Sequence, residues 1–295
     1  MPLIDTHCHL DILGKNQEFM KKFGADFRES FTQYDIKTLM QIGTDYQSSL
    51  FSQAIAGYSH NKRNSAYSGL DLVYKRVFDE YSSWGLEKLC RIYYSLGLHP
   101  SEAEQDDGEA ETGRIADLAR QSKEDPLFRA IGESGLDYYW NKQEANHKKQ
   151  REIFSQMLCL SRELNRPVIL HCRDAYDDLY HILRKEHNGH GIVHCFTGTP
   201  AQAKDLCDMG YYISFSGIVT FKNAAGIQKA AVELPEDKIL TETDSPYLAP
   251  VPRRGETNIP AYVFHTAVFL ASLRKTPEQR MLEILEANAK RAFGI

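Results

Sequence analysis

Residues 167–198 read PVILHCRDAYDDLYHILRKEHNGHGIVHCFTG. The stretch opens on a short apolar run, 167–172, and closes on another, 191–196. Between them, 175–185 carries the amphipathic spacing of a helix. Strand, helix and strand in that order make one crossover unit of a parallel sheet. Each apolar run carries a histidine near its end, His171 and His194. The unit therefore sets two imidazoles at the carboxyl ends of neighbouring strands.

The same alternation recurs in both directions. Strands are predicted at 3–9, 38–43, 91–98, 128–133, 167–172, 191–196, 211–216 and 238–243. Helices are predicted at 114–121, 144–164, 175–185, 201–209 and 224–233, with two more at 261–273 and 277–289. In 144–164 the apolar face is marked by Phe154, Met157, Leu158 and Leu160. Eight βα units predict a (β/α)8 TIM-type barrel, a single domain over 1–295. The interval between the second and third strands exceeds one crossover. Residues 61–85 are read as a helical insertion with a polar lead-in, serving as a lid, a substrate wall or an interface. Residues 106–112 are read as an acidic surface loop.

A chain of 295 residues with 42% apolar and 25% charged side chains buries a core without staples. The net charge of −5 excludes a general nucleic-acid-coating protein, whose affinity needs many Lys or Arg contacts to phosphate. No apolar run approaches the ~18 residues of a membrane span, and no basic-then-apolar leader opens the chain. A cytoplasmic protein with no membrane contact and no obligate protein partner is expected. The six cysteines occur without CxxC spacing and are read as buried free thiols. Cys8, Cys172 and Cys195 each follow a histidine, so alternation turns them away from whatever those histidines face.

IDTHCHLD, residues 4–11, adds a second pair of imidazoles. In a strand, residues two apart share a face, which aims His7 and His9 the same way with Asp5 behind them. By themselves they fit a metal or an ordinary polar strand end. The other strand ends decide between these readings. The third strand ends at His99, the fourth at Glu133, the fifth at His171 with Arg173 and Asp174 beyond, the sixth at His194, and the eighth at Glu242 and Asp244. In a barrel all of these meet at one face, where barrel enzymes keep their active sites. Among them, four histidines and two carboxylates at the same end of five strands are costly to desolvate without a cation. Six ligands exceed the needs of one tetrahedral ion. Two ions ~3.5–4 Å apart would use them, with a carboxylate as bridge. Glu133 is the natural bridge, and imidazole-rich ligation suits Zn, Mn, Fe or Ni better than Mg.

HCHLD, GLHP, GESGLDYY, HCRDA, HCFTG and ETDSPYLAP, in this order, closely resemble the TatD family of metal-dependent deoxyribonucleases within the amidohydrolase-like barrels. The match runs from Ile4 to about Arg254. The resemblance implies a barrel with one or two divalent ions (Mg, Mn or Zn) and hydrolysis of DNA ester bonds, commonly as a 3′–5′ exonuclease. Carried over by motif, one ion takes His7, His9 and Asp244, the other takes His171 and His194, and Glu133 touches both. The chain departs from the pattern after strand 8. Members read RG…NEP there, and this sequence has Arg254-Gly255-Glu256-Thr257-Asn258-Ile259-Pro260.

On this reading Asp244 and Glu133 are the catalytic residues, with Asp244 as ligand and general base. Arg173 is the candidate phosphate clamp, against an ion pair with Asp174 or Asp177. His99 lines the pocket or is structural. Arg253 and Arg254 meet the nucleic-acid backbone or are solvated. Tyr138, Tyr139 and Trp140 stack on a base or pack under the fourth loop. The expected substrate is single-stranded DNA ends or short oligonucleotides. The rival is a metallohydrolase of an amide, lactone or phosphotriester. Related barrels of that kind often bridge their metals with a carboxylated lysine, and no lysine stands at this strand end. A non-catalytic protein whose metals only hold the fold is the third reading.

Overall fold

The strands are β1 Leu3–Cys8, β2 Ile36–Gln41, β3 Arg91–Leu96, β4 Phe128–Asp137, β5 Val168–Arg173, β6 Gly191–Val193, β7 Tyr212–Phe215 and β8 Ile239–Thr241. They run parallel, each hydrogen-bonded to the next in chain order. A parallel bridge between Cys8 and Ser245 brings the last strand back to the first. Backbone bonds from Asp244 N–H to His7 O and from His9 N–H to Ser245 O, both 2.9 Å, complete that seam. The result is a TIM barrel. The computed structural model describes residues 2–60, 65–186 and 189–295, so the first four residues of the 61–85 insertion lie outside it.

Alternation along β5 shows how the barrel is filled. Val168, Leu170 and Cys172 join the large apolar layer under the helices, while Ile169 joins a second cluster inside the barrel. Ile4, Met40, Ala130, Ile192 and Leu240 complete that inner floor with Ile169. The last helix, Glu278–Phe293, lies against it, with Ala289, Ala292 and Phe293 packed on the inner residues. An apolar floor leaves the polar residues of the same inward stripe, His171 among them, to the opposite end.

Helix Glu144–Leu164 buries Phe154, Met157, Leu158 and Leu160 as its spacing predicts, and ends at Asn165 in the left-handed conformation. One expectation of the fold needs correction. Residues 106–112 are largely helical, because the helix predicted at 114 starts at Gly108 behind Asp107. The insertion holds a turn, Ala66–Gly69, and a helix, Leu72–Ser83, capped by Asp71 accepting from Val73 and Tyr74 N–H. That helix packs outside the barrel, with Tyr81 donating to Leu10 O at 3.0 Å. No helix of the described residues is long and apolar enough to cross a membrane.

Candidate metal centre

The carboxyl ends of the strands open on a cavity of 670 Å³. His9, His99, Glu133, His171, Arg173, His194 and Asp244 line it, and His7 lies buried beneath. The six sequence-predicted ligands therefore converge. Glu133 is their centre. Its Oε2 lies 3.2 Å from His7 Nε2 and 3.7 Å from His9 Nε2. Its Oε1 lies 2.7 Å from His171 Nδ1 and 2.6 Å from His194 Nε2. Asp244 Oδ1 closes the first group, 3.8 Å from His7 Nε2 and 3.5 Å from His9 Nε2. One carboxylate thus divides its two oxygens between two pairs of imidazoles.

Local backbone explains the convergence only in part by alternation. His194 continues the inward stripe of Ile192, and His171 that of Ile169. In β1 the pairing with β2 slips between Asp5 and Cys8. Thr6, on the intervening position, also meets an inner residue, Ser214 of β7, at 3.4 Å. Asp5 does not enter the cluster: its carboxylate accepts Thr243 N–H at 2.9 Å and Thr243 O–H at 2.5 Å. His9 stands one residue past the strand, at the start of helix Leu10–Lys15. In β4 the register slips before Ser134, after which Gly135 pairs with His171 and Asp137 with Arg173. A Cβ at Gly135 would stand 2.0 Å from His171 O, so glycine is what lets the two strands meet there.

Electrostatics make this a seat for positive charge. Burial pushes the Glu133 carboxyl up, but His194, His171 and His7 together hold it well below the usual carboxylate range. Burial pulls His194 down, and Glu133 with Glu242 lifts it well above the ordinary imidazole value. Burial and the charge of His194 keep His7 low. Burial pushes the Asp244 carboxyl up too, yet His9, His7 and His194 hold it below its usual value. The donors fit divalent ions. Ligands 2.1 Å from a tetrahedral ion stand about 3.4 Å apart, and the first group spans 3.2–3.8 Å. His7 Nδ1 and His9 Nδ1 are buried without a hydrogen-bond partner, while both Nε2 atoms face Glu133. Close groupings include His7–His9–Glu133, His7–His194–Asp244 and His99–Glu133–His171.

Two carboxylates at this end had no role assigned from sequence. Asp137 Oδ2 lies 3.3 Å from His171 Nε2, leaving Nδ1 for Glu133. Fully buried Glu242 sits 3.4 Å from His194 Nδ1 and accepts Cys195 N–H at 2.6 Å. Asp137 holds His171 by its far nitrogen, and Glu242 sets its charge beside the far nitrogen of His194. A signal for Asp137 was present: β4 runs to 137, and 133, 135 and 137 share a face.

The remaining candidates divide. His99 caps helix Pro100–Ala103, its Nδ1 accepting Ser101 N–H at 3.2 Å, and still points Nε2 at Glu133 Oε1, 3.6 Å away. Burial, which Glu133 only partly offsets, lowers its pKa to about 4. Arg173 lines the cavity with its guanidinium 3.7 Å from the centre of the Tyr139 ring, a stack in place of the ion pairs weighed for it. Tyr138 packs under the loop, stacked on His147 at 3.6 Å and donating to Asp178 Oδ2 at 2.6 Å. Tyr139 and Trp140 are exposed. Arg254 does not line the cavity; it stacks on Phe221 at 3.7 Å, and Arg253 faces Tyr262. Where the family pattern has glutamate, Ile259 is buried in the core, and Asn258 ties the loop to Thr243 O at 2.8 Å. Cys195 does not turn away: the strand ends at Val193, φ at Cys195 is 41°, and the thiol borders the cavity beside Ser216. Cys172 also borders it, and Cys159 is exposed.

A family model described as TatD related DNase matches residues 4–294. The uncharacterized metal-dependent hydrolase YcfH of Escherichia coli (strain K12) is 37% identical, over 100% of this chain and 97% of its own. The uncharacterized metal-dependent hydrolase YabD of Bacillus subtilis (strain 168) is 40% identical, over 71% of this chain and 80% of its own. The crystal structure of YjjV, a TatD homologue from Escherichia coli K12, superposes with a TM-score of 0.78 at 23% identity, covering 99% of this chain and 98% of that one.

Proposed function

This chain belongs to the TatD-related DNase family, and on that footing we propose that it is a divalent-metal-dependent hydrolase of DNA phosphodiester bonds, a 3′–5′ exonuclease acting on single-stranded ends or short oligonucleotides. One observation carries the reading: Glu133 offers Oε2 to His7 and His9 and Oε1 to His171 and His194. These residues and Asp244 would hold the divalent ions, which when bound would supply an activated water and neutralise phosphate charge. Asp244, at the edge of the first group and facing the cavity, takes the proton of the attacking water. Arg173 offers its planar fork to a phosphate oxygen while Tyr139 holds its face. The apolar floor and the buried histidines keep bulk water from below.

A net charge of −5 suits an enzyme that grips one terminal phosphate rather than a long duplex. Among the described residues that line the cavity there is no lysine to carry a bridging carboxylate, which favours the nuclease over small-molecule hydrolysis. The test is a time course on labelled single- and double-stranded DNA with Mg²⁺, Mn²⁺ or Zn²⁺. Metal-dependent shortening from the 3′ end, lost in Glu133→Ala, is the expected result. Absence of metal-dependent cleavage, or full activity in that variant, overturns the proposal.

A further inference from the structure

Trp140, 78% exposed, lines the cavity that holds the histidine cluster, and Tyr139, 45% exposed, precedes it in the chain. Exposed aromatics are often the tips of mobile loops, but this pair is held on both sides. Tyr138, just before it, is stacked on His147 and bonded through its N–H to Arg173 O at 2.9 Å. Asn141, just after it, donates to Glu104 Oε2 at 2.8 Å, and its carbonyl meets His147 Nε2 at 2.7 Å. Two large rings are thus pinned in water at the mouth, where burying them against a flat partner would be favourable.

The surroundings specify the partner. Arg173 covers Tyr139 at 3.7 Å and stands 5.4 Å from the Trp140 ring. Lys142 lies 5.7 Å from the Tyr139 ring. Trp140 meets Tyr139 edge to face, at 4.8 Å and 88°. Cations interleaved with an aromatic platform match the chemistry of a single nucleic-acid strand, phosphate on the cations and base on the ring. In a duplex both faces of each interior base are already stacked, so an unpaired end base is the one free to use such a ledge.

We infer that Trp140 is the stacking platform for the unpaired terminal base of a single strand, with Arg173 and Lys142 taking the adjoining phosphates. This inference rests on the nuclease reading for its substrate but makes a separate demand on Trp140. The cluster cuts, and the ledge selects frayed or single-stranded ends.

The experiment uses the full chain loaded with Zn²⁺ or Mg²⁺. There are two tryptophans, and Trp84 is packed against Phe27 and Tyr81, so quenching on ligand binding reports mainly Trp140. A phosphorothioate single-stranded octamer, which resists cleavage, should quench the fluorescence, and the same octamer ending in an abasic sugar should not. Trp140→Ala should weaken octamer binding on the order of tenfold, with the loss in KM, while Trp140→Phe retains most of the affinity. The variant should also lose the preference for a base-bearing end over an abasic end. Equal quenching by both octamers, or an unchanged KM in Trp140→Ala, overturns the ledge even where metal-dependent cleavage stands. Quenching without any cleavage leaves the ledge supported and sinks the nuclease reading instead.

Discussion

His7 and His194 stack face to face across the barrel mouth, ring centroids 4.0 Å apart and planes 8° from parallel. Two imidazolium ions do not share that arrangement comfortably, and the two rings are pushed apart: burial and the charge of His194 hold His7 low, while Glu133, against burial, lifts His194 above its ordinary value. A neutral imidazole is what a metal binds. The stack therefore presents His7 ready for an ion, and the positive charge that Glu133 attracts can be exchanged from protons to metal.

Chelation should consequently destabilise the whole barrel. A ligand that binds only the folded state at a hundred times its Kd adds about 2.7 kcal/mol. Dialysis against EDTA should lower Tm by several degrees, and Zn²⁺ or Mn²⁺ should restore it in a concentration-dependent way. A melting curve indifferent to both treatments would contradict the metal seat.

Asp137→Asn and Glu242→Gln remove the carboxylates behind His171 and His194. Both should weaken metal at the second group by about 10–100-fold, leaving the His7–His9 group less affected. Metal titration followed by elemental analysis separates the two: retention of a full complement at low metal in either variant would show that these carboxylates only fill space.

Arg173 should resist conservative replacement. A lysine keeps the charge but loses the planar fork and the stack on Tyr139. Both Arg173→Lys and Arg173→Ala should raise KM for oligonucleotides, the alanine by about 10–100-fold if a charge-assisted bond of about 1.5–3 kcal/mol is lost. Equal kinetics in all three proteins would remove Arg173 from the substrate path.

At the other end of the barrel, Phe293→Ala should cost about 3–5 kcal/mol by opening a cavity under the inner floor. Urea unfolding should show a lower midpoint, while folded protein still takes up metal normally. A loss of metal without a loss of stability would mean that floor and mouth are coupled in a way packing does not explain.

The barrel was legible because strand and helix periods alternate cleanly, and nowhere more so than in 167–198. The cluster of candidate ligands was legible because titratable residues sit at one end of the strands. What sequence could not convey was depth and pairing. Alternation placed Asp5 beside His7, but a register slip in β1 gives Asp5 to Thr243. Glu242 was given no role beside Asp244, and the turn after β8, with φ of 56° at Asp244, is what sends the two carboxylates to different histidines. Tyr138, Tyr139 and Trp140 are alike in composition, yet one is packed and two are exposed, because His147 on the following helix captures the first.

The inserted helix Leu72–Ser83 contributes no residue to the cavity lining. Its buried Tyr81 nonetheless clasps the carbonyl of Leu10, the residue immediately after His9. One phenol thereby ties the outer helix to the backbone beside an imidazole of the inner ring.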